Sequence, residues 1–364
     1  MLLRIFAKDF LKCQFFLINF LHKPTICMKP QEFFVAQLRE MCPAHLNLAE
    51  ELAGLLNLSL DSIYRRLRGE TDISLEETLA ICAHFELPLA SVLEQQANMV
   101  AFRTNSLGGD SESFTQYLKV IVADVMGMRS EPEFEIIYAA EDLPVYYNFF
   151  FYELARFKMV YWNKSILGSK EMVGRCVEEV EVPNHWVEQV PIARAAFLGV
   201  KTHEIWNEDT LKSTLKQIRY YWEAGYFRSS ELPLRLCQDL FELVETLNKQ
   251  AQAGRKYNPL TNEFTDVPFR LYSSDLMIGT NTVALKSRHT MASYLGYHTF
   301  NFMRTKNANF NRFTSDWLDN MRQKGVLISE AGEKQRLQFF HSLNRQVEEL
   351  QEFITRSSQS SKAM

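Results

Sequence analysis

The sequence lacks any Cys-x-x-Cys pair, and its six cysteines (Cys13, Cys27, Cys42, Cys82, Cys176, Cys237) are scattered. That spacing argues against a zinc ribbon or a disulfide framework and for reduced thiols. There is no Gly-x-Ser-x-Gly elbow, no His-Glu-x-x-His and no Gly-x-Gly-x-x-Gly. The common sequence marks of a serine hydrolase, a zincin and a dinucleotide-binding enzyme are therefore missing. Charge of one sign is lacking too: 40 Lys and Arg stand against 44 Asp and Glu, a net of −4. Binding to nucleic acid or membrane must then be local. Long apolar runs are also absent. Phe15 to Leu21 is too short to span a bilayer, and the ring-rich stretch 146–162 is interrupted by Glu153, Arg156 and Lys158. No internal repeat is evident.

What the chain does contain is concentrated near its start. Residues 46–93 read as a helix-turn-helix inside a small helical bundle. One helix ends near Leu56, and Asn57 tolerates the left-handed backbone of a sharp turn. Ser59 can cap the next helix, which carries Tyr64, Arg65, Arg66 and Arg68 and stops at Gly69. Leu52, Ala53 and Leu56 share one face of the first helix, and Ile63 and Leu67 one face of the second. A third helix opens with a capping box, Ser74 and Glu77, and carries an apolar stripe of Leu75, Leu79, Cys82 and Phe85. Pro88 ends it, and Leu89, Val92 and Leu93 begin a last short helix.

On Glu51-Leu52-Ala53, the Asn57-Leu58-Ser59 turn and Ile63 through Gly69, residues 30–95 resemble the XRE family, the lambda-repressor-like DNA-binding domains. The resemblance implies an all-α five-helix domain that binds double-stranded DNA as a homodimer. It implies that Ser59, Asp61, Ser62 and Arg65 face base edges or nearby phosphates. Arg66 and Arg68 would meet the backbone, with Tyr64 on the same recognition helix. The polar residue that often clamps a phosphate at the start of the supporting helix is here Ala49, and an apolar position of the second helix is Arg66. Between Met28 and Ala97, five basic residues stand against eleven acidic ones, a net of −6, which works against the counterion-release part of DNA affinity.

The remainder reads as a linker over 98–112 and an α+β domain over 113–356, with a mostly antiparallel sheet and several long helices. Phe114, Leu118, Ile121 and Val125 mark a helix, and 134–140 a strand. Residues 146–162 suggest a helix and a short strand, with rings that either line a small-molecule pocket or simply fill a core. Helices are expected over 210–224 and 230–253, the second capped by Ser230 and stopped by Gly254. Phe269 to Ile278 and Thr282 to Ser287 suggest a hairpin about Gly279, followed by one or two strands up to Met303 and a short helix containing Trp317. A final helix, Glu330 to Arg356, repeats Leu337, Phe340, Leu343, Val347, Leu350 and Ile354, which favours docking on its own domain over a dimer seam. A disordered tail is expected over 357–364. Residues 1–27 are expected to be upstream sequence or a disordered extension ahead of a start at Met28. An amphipathic helix and a targeting segment are the alternatives.

Chemistry is sparse in this region. Gly168 to Cys176 has five residues between its glycines where a phosphate loop needs four, and Arg-Cys where it needs Lys-Ser or Lys-Thr. His289 and His298, on adjacent expected strands, lack a matching carboxylate or Cys for a metal. Glu141, Asp142 and Asp275 suit caps and turns. The expectation is a cytoplasmic transcription regulator that is not an enzyme and needs no cofactor. Its larger domain would sense an unidentified ligand or partner and hold a homodimer together. A scaffold protein that uses the bundle for protein contacts is one alternative. An enzyme with catalysis in 113–364 is another, since distant residues can converge on folding.

Overall fold

The computed structural model describes residues 29–42, 46–85, 87, 89, 99–104, 111–298 and 301–362. The 27-residue leader, the fifth helix expected beyond Leu89 and the middle of the expected linker lie outside them. The chain divides into two compact units, up to Ala101 and from Phe102 onward. Among the described residues, no helix is long and apolar enough to cross a membrane.

The first unit contributes α1 (Pro30–Met41), α2 (Leu48–Leu56), α3 (Leu60–Leu67) and α4 (Leu75–His84). Phe34, Leu38, Ala49, Leu52, Ile63, Ile81 and Cys82 form its core. Of the stripe expected on α4, Cys82 and Phe85 pack inward, but Leu75 and Leu79 do not. Leu75 and Leu79 are 63% and 49% exposed, whereas Ile81 and Cys82 are buried. Ser74 caps α4 by accepting from the Glu77 amide. That makes Leu75 the first helical residue, and the inward i, i+3, i+4, i+7 row becomes Thr78, Ile81, Cys82 and Phe85.

The second unit is built on a nine-stranded mixed sheet in the order β1-β8-β7-β6-β2-β3-β5-β4, with β9 added on β5. The strands are β1 (Arg103–Thr104), β2 (Glu135–Ala140), β3 (Lys201–Trp206), β4 (Arg255–Asn258), β5 (Glu263–Ser273), β6 (Thr282–Lys286), β7 (Met291–Tyr297), β8 (Asn301–Thr305) and β9 (Val326–Leu327). Only the β2–β3 and β3–β5 pairs are parallel; six pairs are antiparallel. Helices α5 (Ser111–Met128), α6 (Val145–Asn148), α7 (Tyr152–Tyr161), α8 (Asn184–Leu198), α9 (Lys212–Glu223), α10 (Glu231–Ala253), α11 (Ala308–Lys324) and α12 (Glu333–Lys362) surround it. The larger core gathers Ile136, Tyr138, Phe157, Trp206 and Leu243. Ile137, Ala139 and Ile205 point to the other face, onto Leu318 and Met321 of α11. This is the period-two alternation of a sheet covered on both sides.

α10 shows why a wide apolar face means deep burial. Leu236, Leu240, Leu243, Val244 and Leu247 are all fully buried, each worth about 1.5–3 kcal/mol of transfer free energy. Gly254 ends the helix at φ 63°, a backbone that disfavours any side chain. Ser230 does not cap it; the Ser229 hydroxyl accepts from the Glu231 amide instead.

Several expectations are corrected. β5 and β6 are not a hairpin, because β2 and β3 lie between them and β6 pairs with β2 and β7. The ring-rich stretch holds no strand: α6 and α7 are joined by a turn at 149–151, with Phe151 extended, and α7 runs into a π-turn at Trp162–Ile166. His289 and His298 flank opposite ends of β7. The linker is structured at both ends: Arg103–Thr104 pairs with β8, and α5 begins at Ser111. α12 continues past Arg356 to Lys362. The Ser-rich segment stays helical because the Ser357 and Ser358 hydroxyls donate to carbonyls of the preceding turn, and Ser357 accepts from Trp222 Nε1 at 2.8 Å. Phe340, Leu343, Val347, Leu350 and Ile354 of this helix are buried in its own unit, so the stripe docks there, although Leu337 is exposed.

Candidate nucleic-acid interface

The turn between α2 and α3 is made by Asn57, at φ 52° and ψ 48°, the left-handed conformation expected of it. Leu58 N donates back to the Ala53 carbonyl at 3.1 Å, closing the end of α2. Ser59 is extended, and its hydroxyl accepts from Ser62 N at 3.3 Å, which caps α3. α3 is anchored by Ile63, only 1% exposed. At its far end Gly69 adopts φ 75°.

One residue that the sequence pattern did not single out fixes this far end. The Gln31 side chain on α1 donates to the Arg66 and Thr71 carbonyls at 3.0 and 2.8 Å and accepts from Ile73 N at 3.1 Å. It ties α1 to the segment joining α3 and α4. A side-chain amide bonding to backbone leaves no periodic trace in the sequence.

The expected contact residues separate into two groups. Ser59, Asp61, Tyr64, Arg65 and Arg68 are exposed, and Ser62 and Arg66 are half-buried. The positions recur as 60, 64 and 68 beside 61 and 65, one outward strip of a 3.6-residue helix. Leu60, 45% exposed, lies on the same strip. Arg65 is 3.4 Å from Asp61 one turn back, and Arg68 is 2.6 Å from Glu70. All four side chains are more than half exposed. Ion pairs of this kind are worth about 0–1 kcal/mol, so a phosphate or a base edge can take either arginine at small cost.

Arg66 is held differently. Its Nε and Nη2 donate to both Glu77 oxygens at 3.1 and 2.9 Å, and Nη1 donates to Ser62 Oγ at 2.8 Å. Both side chains are under one-fifth exposed. The Arg66 hydrogen bonds hold the Glu77 carboxyl below its ordinary range. Glu77 also accepts from Ser74 N at 2.9 Å, so one carboxylate joins the cap of α4 to α3. A charged residue at an expected apolar position is thus accounted for by a bidentate partner eleven residues on. Ala49, where a phosphate clamp was expected, is 2% exposed and belongs to the core.

In the second unit the phosphate-loop likeness does not carry over. Gly168 and Gly174 have positive φ and flank a single 3-10 turn, Lys170–Met172, with no following helix of useful length. Among the described residues, no three His, Cys, Asp or Glu side chains gather as a metal site requires. Two ionisable side chains, Glu204 and Lys256, are fully buried, and sequence reasoning did not single out either. Glu204 accepts from Tyr146 Oη, Tyr147 Oη and Trp206 Nε1 at 2.9–3.0 Å. Lys256 Nζ is 3.7 Å from Glu204, beyond hydrogen-bond reach, and 3.3 Å from the Phe197 ring centre. Burial drives this ammonium down to about 7. The only hint in the sequence is a glutamate at an inward position of a strand.

Comparison with protein-family models, with characterised proteins and with solved structures gives no match.

Proposed function

We propose that the chain is a sequence-specific DNA-binding transcription regulator in which α3 enters the major groove. The observation that carries this reading is the outward strip of α3, set beyond a left-handed Asn57 turn and a Ser59 cap. Tyr64, Arg65 and Arg68 stand clear of the bundle on it, and such a helix is the unit that reads a major groove. Arg65, with Ser59, Asp61 and Ser62, would read base edges, and Arg68 would meet phosphate. Arg66 is assigned to holding α3 on α4 rather than to DNA. The resemblance to the XRE family implies a homodimer on two half-sites, with the second unit sensing an effector and supporting the dimer.

Selection from a random DNA library on the full chain tests this. Enrichment of two related half-sites is expected. Arg65→Ala should cost about 1–3 kcal/mol on the selected site and relax the preference at one position. Arg68→Ala should weaken all sequences alike and flatten the salt dependence. Loss of neither property would exclude this orientation of α3.

A second reading has its own support. Leu60, Leu75 and Leu79 are between 45% and 63% exposed, and the net charge of −6 over 28–97 is acidic. A protein-binding bundle would use these leucines, and its affinity would be nearly insensitive to salt.

A further inference from the structure

The helical side of the large sheet contains a gap in its packing. α5 supplies Ile121 and Val125 to its wall, α8 supplies Ala193 and Ala196, and the sheet supplies Tyr138 and Leu285. The cavity measures about 90 Å³. Protein interiors are close-packed, and voids larger than a water molecule are few. This one persists because α8 presents alanines at positions 193 and 196, one turn apart, where larger side chains would reach the sheet. None of its lining residues is charged. By volume it has room for a few waters, yet almost nothing on the wall would bond them.

The exception is Tyr138. Its side chain is 5% exposed and lines the cavity. Its hydroxyl makes no hydrogen bond among the described residues, unlike Tyr146 Oη on Glu204 and Tyr294 Oη on Asp124, which are both engaged. A hydroxyl facing the cavity can donate to an acceptor on a molecule bound there.

We propose that this cavity binds a small, neutral, largely hydrocarbon molecule that carries one hydrogen-bond acceptor for the Tyr138 hydroxyl. Charge on the ligand is excluded, because no lining residue would neutralise it. Size is bounded as well. A cavity of roughly 150 Å³ takes benzene, so this one, at about 90 Å³, fits about four non-hydrogen atoms. The proposal deepens the sensing part of the function proposed above, but its test involves no DNA, so either can fail without the other. The wall is also placed to report occupancy: Phe302 of β8 lines it, and β8 pairs with β1, where the second unit's chain begins.

The test is a methyl NMR titration of the full chain, labelled at Ile, Leu and Val, with acetone and with its hydrocarbon isostere isobutene, each of about four non-hydrogen atoms. Both probes should shift the methyls of Ile121, Val125, Ile136 and Leu285 saturably. Tyr138→Phe should weaken acetone about threefold to tenfold, the worth of one neutral hydrogen bond, and leave isobutene unchanged. Ala196→Leu should abolish both. Ala193→Leu replaces it if the methyl spectrum shows that the first variant has not folded. Absent shifts, shifts centred elsewhere, or undiminished binding to a folded cavity-filling variant would overturn the site. Equal loss of both probes in Tyr138→Phe would overturn the hydrogen bond.

Discussion

Removing the Arg66 guanidinium should loosen α3 from α4 without removing a DNA contact. Arg66→Ala deletes the two bonds to Glu77 and the bond to Ser62, in a setting where both charged side chains are under one-fifth exposed. Hydrogen bonds to charged groups contribute about 1.5–3 kcal/mol, and the residual solvent access lowers this towards the value of a surface pair. A loss of about 2 kcal/mol corresponds to roughly a thirtyfold rise in the opening equilibrium. Hydrogen exchange of the full chain, followed on peptides covering 60–84, reads that equilibrium directly. Glu77→Gln should raise exchange less, because an amide oxygen can still accept from Ser74 N. The sign with pH is fixed by the lowered carboxyl of Glu77. The stabilisation is complete above the ordinary carboxylate pKa and is lost as pH falls through the lowered value. Unchanged exchange in Arg66→Ala, together with a loss of DNA affinity equal to that of Arg65→Ala, would refute the division of the arginines.

Two further predictions concern the second unit. Burial raises the Asp239 carboxyl to about 6, even though Leu154 N donates to it at 3.2 Å. A raised value means that the native state favours the protonated acid, so stability declines as pH rises through 6. Asp239→Asn keeps an acceptor and should gain about 2–3 kcal/mol at pH 8 and little at pH 4, as read by chemical denaturation; equal effects at both pH values would contradict it. Glu135 moves the other way, down to about 2, held first by His203 and then by Lys201, the latter at 2.7 Å. Its contribution is present above pH 4.5 and is lost as pH falls towards 2. Glu135→Gln should therefore flatten the acid limb of the stability curve, and an unaltered limb would show that the pair is not responsible.

Features whose cause is local were legible in the sequence. The Asn57 turn, the Ser59 and Ser74 caps, the stop at Gly254 and the apolar face of α10 each depend on residues within a turn or two, and each was found where the pattern placed it. The misplaced stripe on α4 was also a local matter: two leucines outweighed the phase that the capping box had already set. Strand pairing was not legible. β5 and β6 are close in sequence, but the β2–β3 pair lies between them in the sheet, and the Asn281 side chain between them accepts from the Glu141 and Asp142 amides. Such a decision is made by partners more than a hundred residues away. The candidate DNA-contact residues were legible as a set, but the separate status of Arg66 was not, because it depends on Glu77 and Ser62 meeting it in space.

The buried Glu204 and Lys256 bear on how β3 can fold. Side chains alternate along a strand, so a slip of one residue against β2 and β5 exchanges its faces. Glu204 would then turn away from the Tyr146 and Tyr147 hydroxyls toward Ile137, Ala139 and Leu318, and Lys256 would lose the carboxylate that lies 3.7 Å from it. Leaving a buried charge without its partner costs about 3–5 kcal/mol. An all-apolar β3 would feel a slip mainly through imperfect packing, whereas here each misaligned sheet carries an electrostatic penalty. Competing alignments of the central parallel strands are thereby depopulated, and the nine strands assemble around one that fits in a single way.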